Sequence, residues 1–230
     1  MITTMKLLIV TVLLLLFTCA CKLEPSSESN SNANANANRV VETNNAGNSE
    51  PQSPCSLRAA AAPVVEGLKL GMTSDEALAQ LPGSKDDADV KAGLAKPASP
   101  LGVSEFIVKA DKLQPKEKYA NMSHFTFGLL DGRITSINIG YQGPAYSNVD
   151  EFVTKFVKGT NLPPSDQWQA YPGMDTQLKT LTCRDFEVRV FSGGEGGNQN
   201  YVLLIDLEAK KIIKDRREKA KAQAKPTTSP

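Results

Sequence analysis

Hydrophobic residues enter this chain as a solid block, disappear, and then return with the periods of helices and strands. Residues 7–17 are almost unbroken apolar, whereas 22–54 hold mainly Ser, Asn, Ala, Glu and Pro, with an Asn-Ala repeat over 32–38. Periodic patterning begins after Cys55. Residues 64–70 read as a short strand closed by a turn at Gly71. Thr73, with Glu76 three residues on, forms a capping box, because the hydroxyl and the carboxylate each satisfy a free backbone N–H at a helix start. Ala77, Leu78 and Leu81 then share one face of a short helix, which Pro82-Gly83 stops. The stretch 85–100, rich in Asp, Ala, Lys and Pro, reads as a loop.

Alternation takes over next. Strand signals return at 104–110, and Phe125, Phe127 and Leu129 alternate with Thr126 and Gly128 before Asp131-Gly132 and a return strand over 134–141. Asp-Gly between alternating runs supplies the positive-φ pair of a tight hairpin turn. Gly143-Pro144 marks a boundary. Val149, Phe152, Val153, Phe156 and Val157 follow at helix spacing, with Ser147 or Asn148 as cap and Gly159 as stop. After Pro163-Pro164 come an aromatic stretch at 168–171 and strands near 178–183, 186–191 and 201–207, the last with Tyr201, Leu203, Ile205 and Leu207 on one face. Helix followed by antiparallel strands therefore occurs twice, over 55–143 and 144–208. That order predicts an α+β fold: an antiparallel sheet with helices packed on one face, arranged as two tandem helix-plus-sheet units. Residues 209–230 continue as a charged helix or frayed tail.

Charge and cysteine usage refine this picture. The chain carries 26 basic and 25 acidic residues, but 8 basic and 2 acidic residues fall within 209–230, so an acidic body ends in a basic tail. The excess is confined to one terminal run without interleaved aromatics, which argues against nucleic-acid binding. Lys6 before the apolar block, and the short residues Thr18, Cys19 and Ala20 after it, complete the pattern of a secretory signal peptide over 1–20. The block is too short to span a bilayer, which takes about 20 apolar residues. In the oxidising compartment that export implies, Cys55 and Cys183 favour a bridge over two buried thiols. The polar stretch 22–54 has too little apolar surface to order itself and reads as a disordered linker. Its typical reach is ~30 Å on flexible-coil scaling.

Two resemblances add expectations. The Ala20-Cys21 junction resembles the lipobox of bacterial lipoproteins, which implies cleavage before Cys21 and its lipidation. The protein would then be membrane-anchored in the cell envelope, facing the periplasm or the cell exterior. Lys22 stands where some lipoproteins carry an aspartate that retains them at the inner membrane, so the address points to the outer membrane. The run Gly67-Leu68-Lys69-Leu70-Gly71-Met72-Thr73, followed by a helix and a Pro-Gly stop, resembles the signature of SmpA/OmlA or BamE-like envelope lipoproteins. That resemblance implies a small antiparallel domain that binds other envelope proteins and has no catalytic residues. Tandem helix-plus-sheet units also resemble β-lactamase-inhibitor-like proteins, which implies an inhibitor-like binder as the alternative.

Candidate chemistry is sparse. His124 is the single histidine. An envelope hydrolase would need it beside a nucleophile and a carboxylate, and no Gly-x-Ser-x-Gly elbow is present. One histidine and two distant cysteines do not make a zinc site. Asp86, Asp87 and Asp89 lack the glycine and distal glutamate of a calcium loop. The run Gly193-Gly194-Glu195-Gly196-Gly197 lies between strands and not before a helix, so it reads as a hairpin loop and not a phosphate cradle. No metal, cofactor or small-molecule substrate is expected. Trp168, Tyr171 and Met174 are candidate interaction residues, with core packing as the competing account. The basic tail offers a second contact with anionic headgroups, or else a solvated helix.

Overall fold

The structure is a computed structural model and describes residues 55–174, 176–193 and 199–223. The expected signal peptide over 1–20, Cys21, the expected linker over 22–54 and residues 224–230 lie outside the described residues. Among those described, no helix is long and apolar enough to cross a membrane.

The fold is α+β, built on a seven-stranded antiparallel sheet. Its strands are β1 (Val103–Lys109), β2 (Met122–Leu130), β3 (Arg133–Gln142), β4 (Gln169–Ala170), β5 (Leu178–Thr182), β6 (Phe186–Gly193) and β7 (Gln199–Asp206), in the spatial order β1-β2-β3-β7-β6-β5-β4. The strands of 55–143 form one side of the sheet and those of 144–208 the other. They are joined where β3 pairs with β7, so both halves share a continuous sheet. The Asp131-Gly132 turn joins β2 to β3 with both residues at positive φ, as the hairpin requires.

The helices are α1 (Ser74–Gln80), α2 (Ala88–Ala95), α3 (Lys116–Tyr119), α4 (Val149–Val157) and α5 (Leu207–Gln223). Thr73 and Glu76 close the capping box on α1. Asn148 caps α4 by accepting from the Glu151 backbone N–H at 3.1 Å. Buried residues of α1, α3 and α4 join a single core with one face of the sheet: Ala77, Leu78, Tyr119, Phe152 and Val153 among them. α4 lies over β5 and β6, and α2 runs beside the edge strand β1, which pairs with β2 on one side only. At the other edge β4 has only two residues.

Two expectations need correction. Residues 64–70 are a tight turn and not a strand: Glu66 and Gly67 both take positive φ, and only Val65 and Leu68 pair across them. The stretch 85–100 contains α2, whose start is fixed by the Asp87 carboxylate accepting from the N–H groups of Asp89 and Val90. Only Val90 of that helix is buried, so there was little hydrophobic period to read.

The expected disulfide is present. Cys55 and Cys183 are bridged with Cα atoms 4.4 Å apart, across a sequence separation of 128. Closing a loop of that length stabilises the fold by roughly 4–5 kcal/mol in the chain-entropy account. Nearby hydrogen bonds act in the same direction: the Arg184 N–H donates to the Leu57 carbonyl at 3.2 Å, and the Ala59 N–H donates to the Asp185 carboxylate. The first described residues are thereby stapled to the end of β5.

Candidate functional site: the second face of the sheet

Strand alternation gives the sheet two faces of different character. On the first, Phe106, Val108, Phe125, Phe127, Ile137, Ile139, Val188, Val190, Val202 and Leu204 are all buried in the core beneath the helices. The second face includes one direct row across all seven strands, Ile107–Thr126–Asn138–Leu203–Arg189–Thr180–Gln169. No member of that row is buried, and Ile107 is 44% exposed. Tyr201, Leu203 and Ile205 lie on this second face. β7 is therefore apolar on both sides, and the residues that cover the core from it are Val202 and Leu204.

Two depressions mark the second face. One lies where α5 leaves β7: Lys210, Ile213, Lys214 and Arg217 face Ser136 and Ile205 across a cleft of ≈ 650 Å³. α5 is held by Arg216, whose guanidinium donates twice to the Asp131 carboxylate at 2.9 and 2.6 Å and once to the Leu101 carbonyl at 2.8 Å. The hydrogen bonds from Arg216 hold the Asp131 carboxyl below its ordinary range, and the same contact raises the guanidinium. The N-terminal half of the basic tail is thus a docked helix and not a frayed one.

The other depression, of ≈ 400 Å³, lies over β2, β3, β6 and β7 and is lined by Ser123, His124, Asn138, Gly140, Phe191 and Tyr201 among others. A β-bulge interrupts the β2–β3 register between Met122 and His124. It brings the Ser123 hydroxyl to 2.8 Å from His124 Nδ1. Gly140 makes room for both, because a Cβ there would lie 2.4 Å from Ser123 Oγ and 2.5 Å from the imidazole. Phe191 and Tyr201 stack at 4.9 Å beside them. Burial raises the Tyr201 hydroxyl pKa, so at neutral pH it is a protonated donor. In hydrolytic triads the imidazole binds the nucleophile through Nε2 and a carboxylate through Nδ1. Here Nδ1 faces the serine, and among the described residues no carboxylate lines the pocket.

The other candidates fall elsewhere. Trp168 is 4% exposed and its indole N–H donates to the Pro163 carbonyl at 3.1 Å, so it is a core residue. Tyr171 is 41% exposed beneath the Arg189 guanidinium, and Met174 is half-buried, so the trio does not form one patch. Asp87 caps α2 and Asp89 pairs with Lys109 at 2.8 Å. Among the described residues no group of His, Cys, Asp and Glu comes together to hold a metal. The glycine run lies outside the described residues apart from Gly193, which ends β6. The pocket around His124 was missed because its parts are scattered along the chain. The bulge and the glycine opposite it are visible only once the register is known.

No family model matches the chain, and no curated protein does. Among solved structures, a cysteine-rich secretory protein from Staphylococcus aureus aligns at 12% identity and a TM-score of 0.27, over 56% of this chain and 48% of that one. The chain thus spans about half the length of that protein, and a likeness at this level carries no argument about fold or function.

Proposed function

We propose that the protein is a non-enzymatic lipoprotein of the cell envelope, acylated at Cys21 and carried on the 22–54 linker, whose α+β body docks onto other envelope proteins. The second face of the sheet is the docking surface. One observation carries this reading: the row across seven strands is left half-open in a sheet whose opposite face is sealed. Ile107 and Leu203 on that row gain from burial at about 25 cal/mol per Å² of apolar area removed from water. Charges near them are already matched, since Arg189 pairs with Glu187 at 2.6 Å, which lowers the cost of excluding water there. The resemblance to BamE-like lipoproteins implies the same class of role, and the apolar leader and polar linker supply the anchor and the reach. An outer-membrane address follows from Lys22.

Site-specific photo-crosslinking in cells tests the surface. A photoreactive residue at Leu203 is expected to capture a protein, whereas the same residue at Val64, 60% exposed in the turn before α1, is not. Equal capture at both positions, or none at Leu203, would remove the docking role. Mass analysis of the mature N-terminus tests the anchor separately, through an acyl adduct on Cys21.

A further inference from the structure

The protein-docking role leaves the charge of α5 without a use, and that charge is not spread evenly around the helix. At 3.6 residues per turn, Lys210, Lys214, Arg217 and Lys221 recur at i, i+4, i+7 and i+11 and share one flank, whereas Glu208, Asp215 and Lys219 fall on the other. Three of the four flank cations line the ≈ 650 Å³ cleft beside the sheet, together with Ile205, Leu207 and Ile213. Asp206, the carboxylate of that lining, is already engaged, accepting from the Ala209 N–H at 3.0 Å. Among the described residues Lys210, Arg217 and Lys221 make no ion pair, and Lys214 meets Glu218 only at 3.9 Å. All four flank cations are exposed.

The position of the helix supplies a second observation. The Leu207 N–H donates to the Asp185 carbonyl at 2.9 Å, and the Asp185 carboxylate accepts from the Ala59 N–H. The base of α5 and the residues next to Cys55 therefore meet at Asp185. Cys55 is where the proposed tether joins the body, so the tethered end is also the basic end.

We infer that the Lys210–Lys214–Arg217–Lys221 flank and the cleft beside it bind anionic headgroups of the membrane that carries the protein; the choice of a membrane rests on the anchor proposed above. The flank runs for roughly 16 Å, longer than one phosphate group, so its occupant must present several negative charges side by side. A bilayer surface does so, and a linker with a reach of ~30 Å keeps that surface at high local concentration. Each Lys or Arg close to an anionic surface raises affinity roughly fivefold. Ile205, Leu207 and Ile213 suit the glycerol and first acyl carbons behind a headgroup, contacts that a wholly polar anion would leave unused.

Amide hydrogen exchange of the full chain tests this, with the protein reconstituted into nanodiscs of phosphatidylcholine alone or mixed with phosphatidylglycerol. The anionic discs are expected to slow exchange over 210–221 by about tenfold or more relative to the neutral ones, and raised salt should reverse the difference. Arg217→Glu should remove most of that slowing. Lys219→Glu, the same change of charge on the other flank, should leave most of it. Both positions are exposed, so neither variant threatens the fold. Equal exchange in the two kinds of disc, or equal loss in the two variants, would overturn the inference. Polyglutamate added to neutral discs is the arm for an acidic polypeptide: protection equal to that from phosphatidylglycerol would assign the flank to a protein and not to the membrane. Only disc-bound chain is measured, so the anchor and the headgroup site fail separately. Headgroup-dependent protection without an acyl adduct on Cys21 would keep the site and remove the anchor, whereas an adduct without headgroup dependence would do the reverse. Leu203 does not line the cleft, so its crosslinking decides the protein-docking role independently of these results.

Discussion

The two faces of the sheet are made by the same strands and differ in what the alternate residues do. On the covered face Phe127 is fully buried and stacks on Phe106 at 4.7 Å, while two strands away on the other face Leu203 is half-buried. Antiparallel sheets commonly have one packed and one solvated face, and the solvated side is then polar. This one is not wholly polar. The covered face holds the fold together, whereas on the docking role proposed above the apolar residues of the second face serve a partner. Truncation should separate the two. Phe127→Ala is expected to lower the unfolding free energy by about 3–5 kcal/mol, while Leu203→Ala should cost under about 1 kcal/mol. Urea denaturation of both variants measures this, and an equal loss at the two positions would make the second face part of the core.

The same contrast explains how much of the molecule was legible in the sequence. Elements with a dense apolar period and a chemical stop were readable: the β2–β3 hairpin through Asp131-Gly132, α4 through Asn148, α1 through Thr73 and Glu76. α2 was not, because a single buried residue, Val90, leaves its pattern indistinguishable from a loop. β7 was read as a strand, yet both of its faces are apolar, so the period alone could not say which one covers the core. The pocket residues were legible only as isolated letters. What unites them is the pairing of Gly140 with His124 across two strands and a bulge that shifts the register by one residue. Neither has a local sequence signal.

A finer test lies at the end of the sheet, where Trp168 and Tyr171 are three residues apart in sequence and opposite in environment. Trp168→Phe keeps most of the ring but leaves the Pro163 carbonyl without its donor, and should cost about 1–2 kcal/mol. Tyr171→Phe removes an exposed hydroxyl and should change stability by less than about 0.5 kcal/mol. Thermal melts of the pair check the assignment. If Tyr171→Phe were the more damaging, the Tyr171 hydroxyl and not the Trp168 indole would hold this end of the core.

The smallest expected effect concerns how α5 is held at the border of the second face. Arg216 lowers the Asp131 carboxyl pKa, and Asp131 would return to the ordinary carboxylate range once free of that contact. For a carboxylate depressed in the folded state, the stabilisation is complete above the unfolded pKa and is lost as pH falls through the folded one. Docking of α5 should therefore be unchanged between pH 5 and 8 and weaken below about pH 4, where the protonated carboxyl can no longer hold the guanidinium as a paired ion. Both side chains are partly solvated, so salt should loosen the helix in the same direction, though less than acid does. Amide hydrogen exchange along α5 is the appropriate measurement: Asp131→Asn at neutral pH should reproduce the fast exchange of the wild type in acid, while the β3–β7 ladder stays protected in both. Protection of α5 that is indifferent to pH, salt and Asp131→Asn would mean that the apolar contacts of Ala209 and Ile213 alone hold the helix against the sheet, and that the ion pair is incidental.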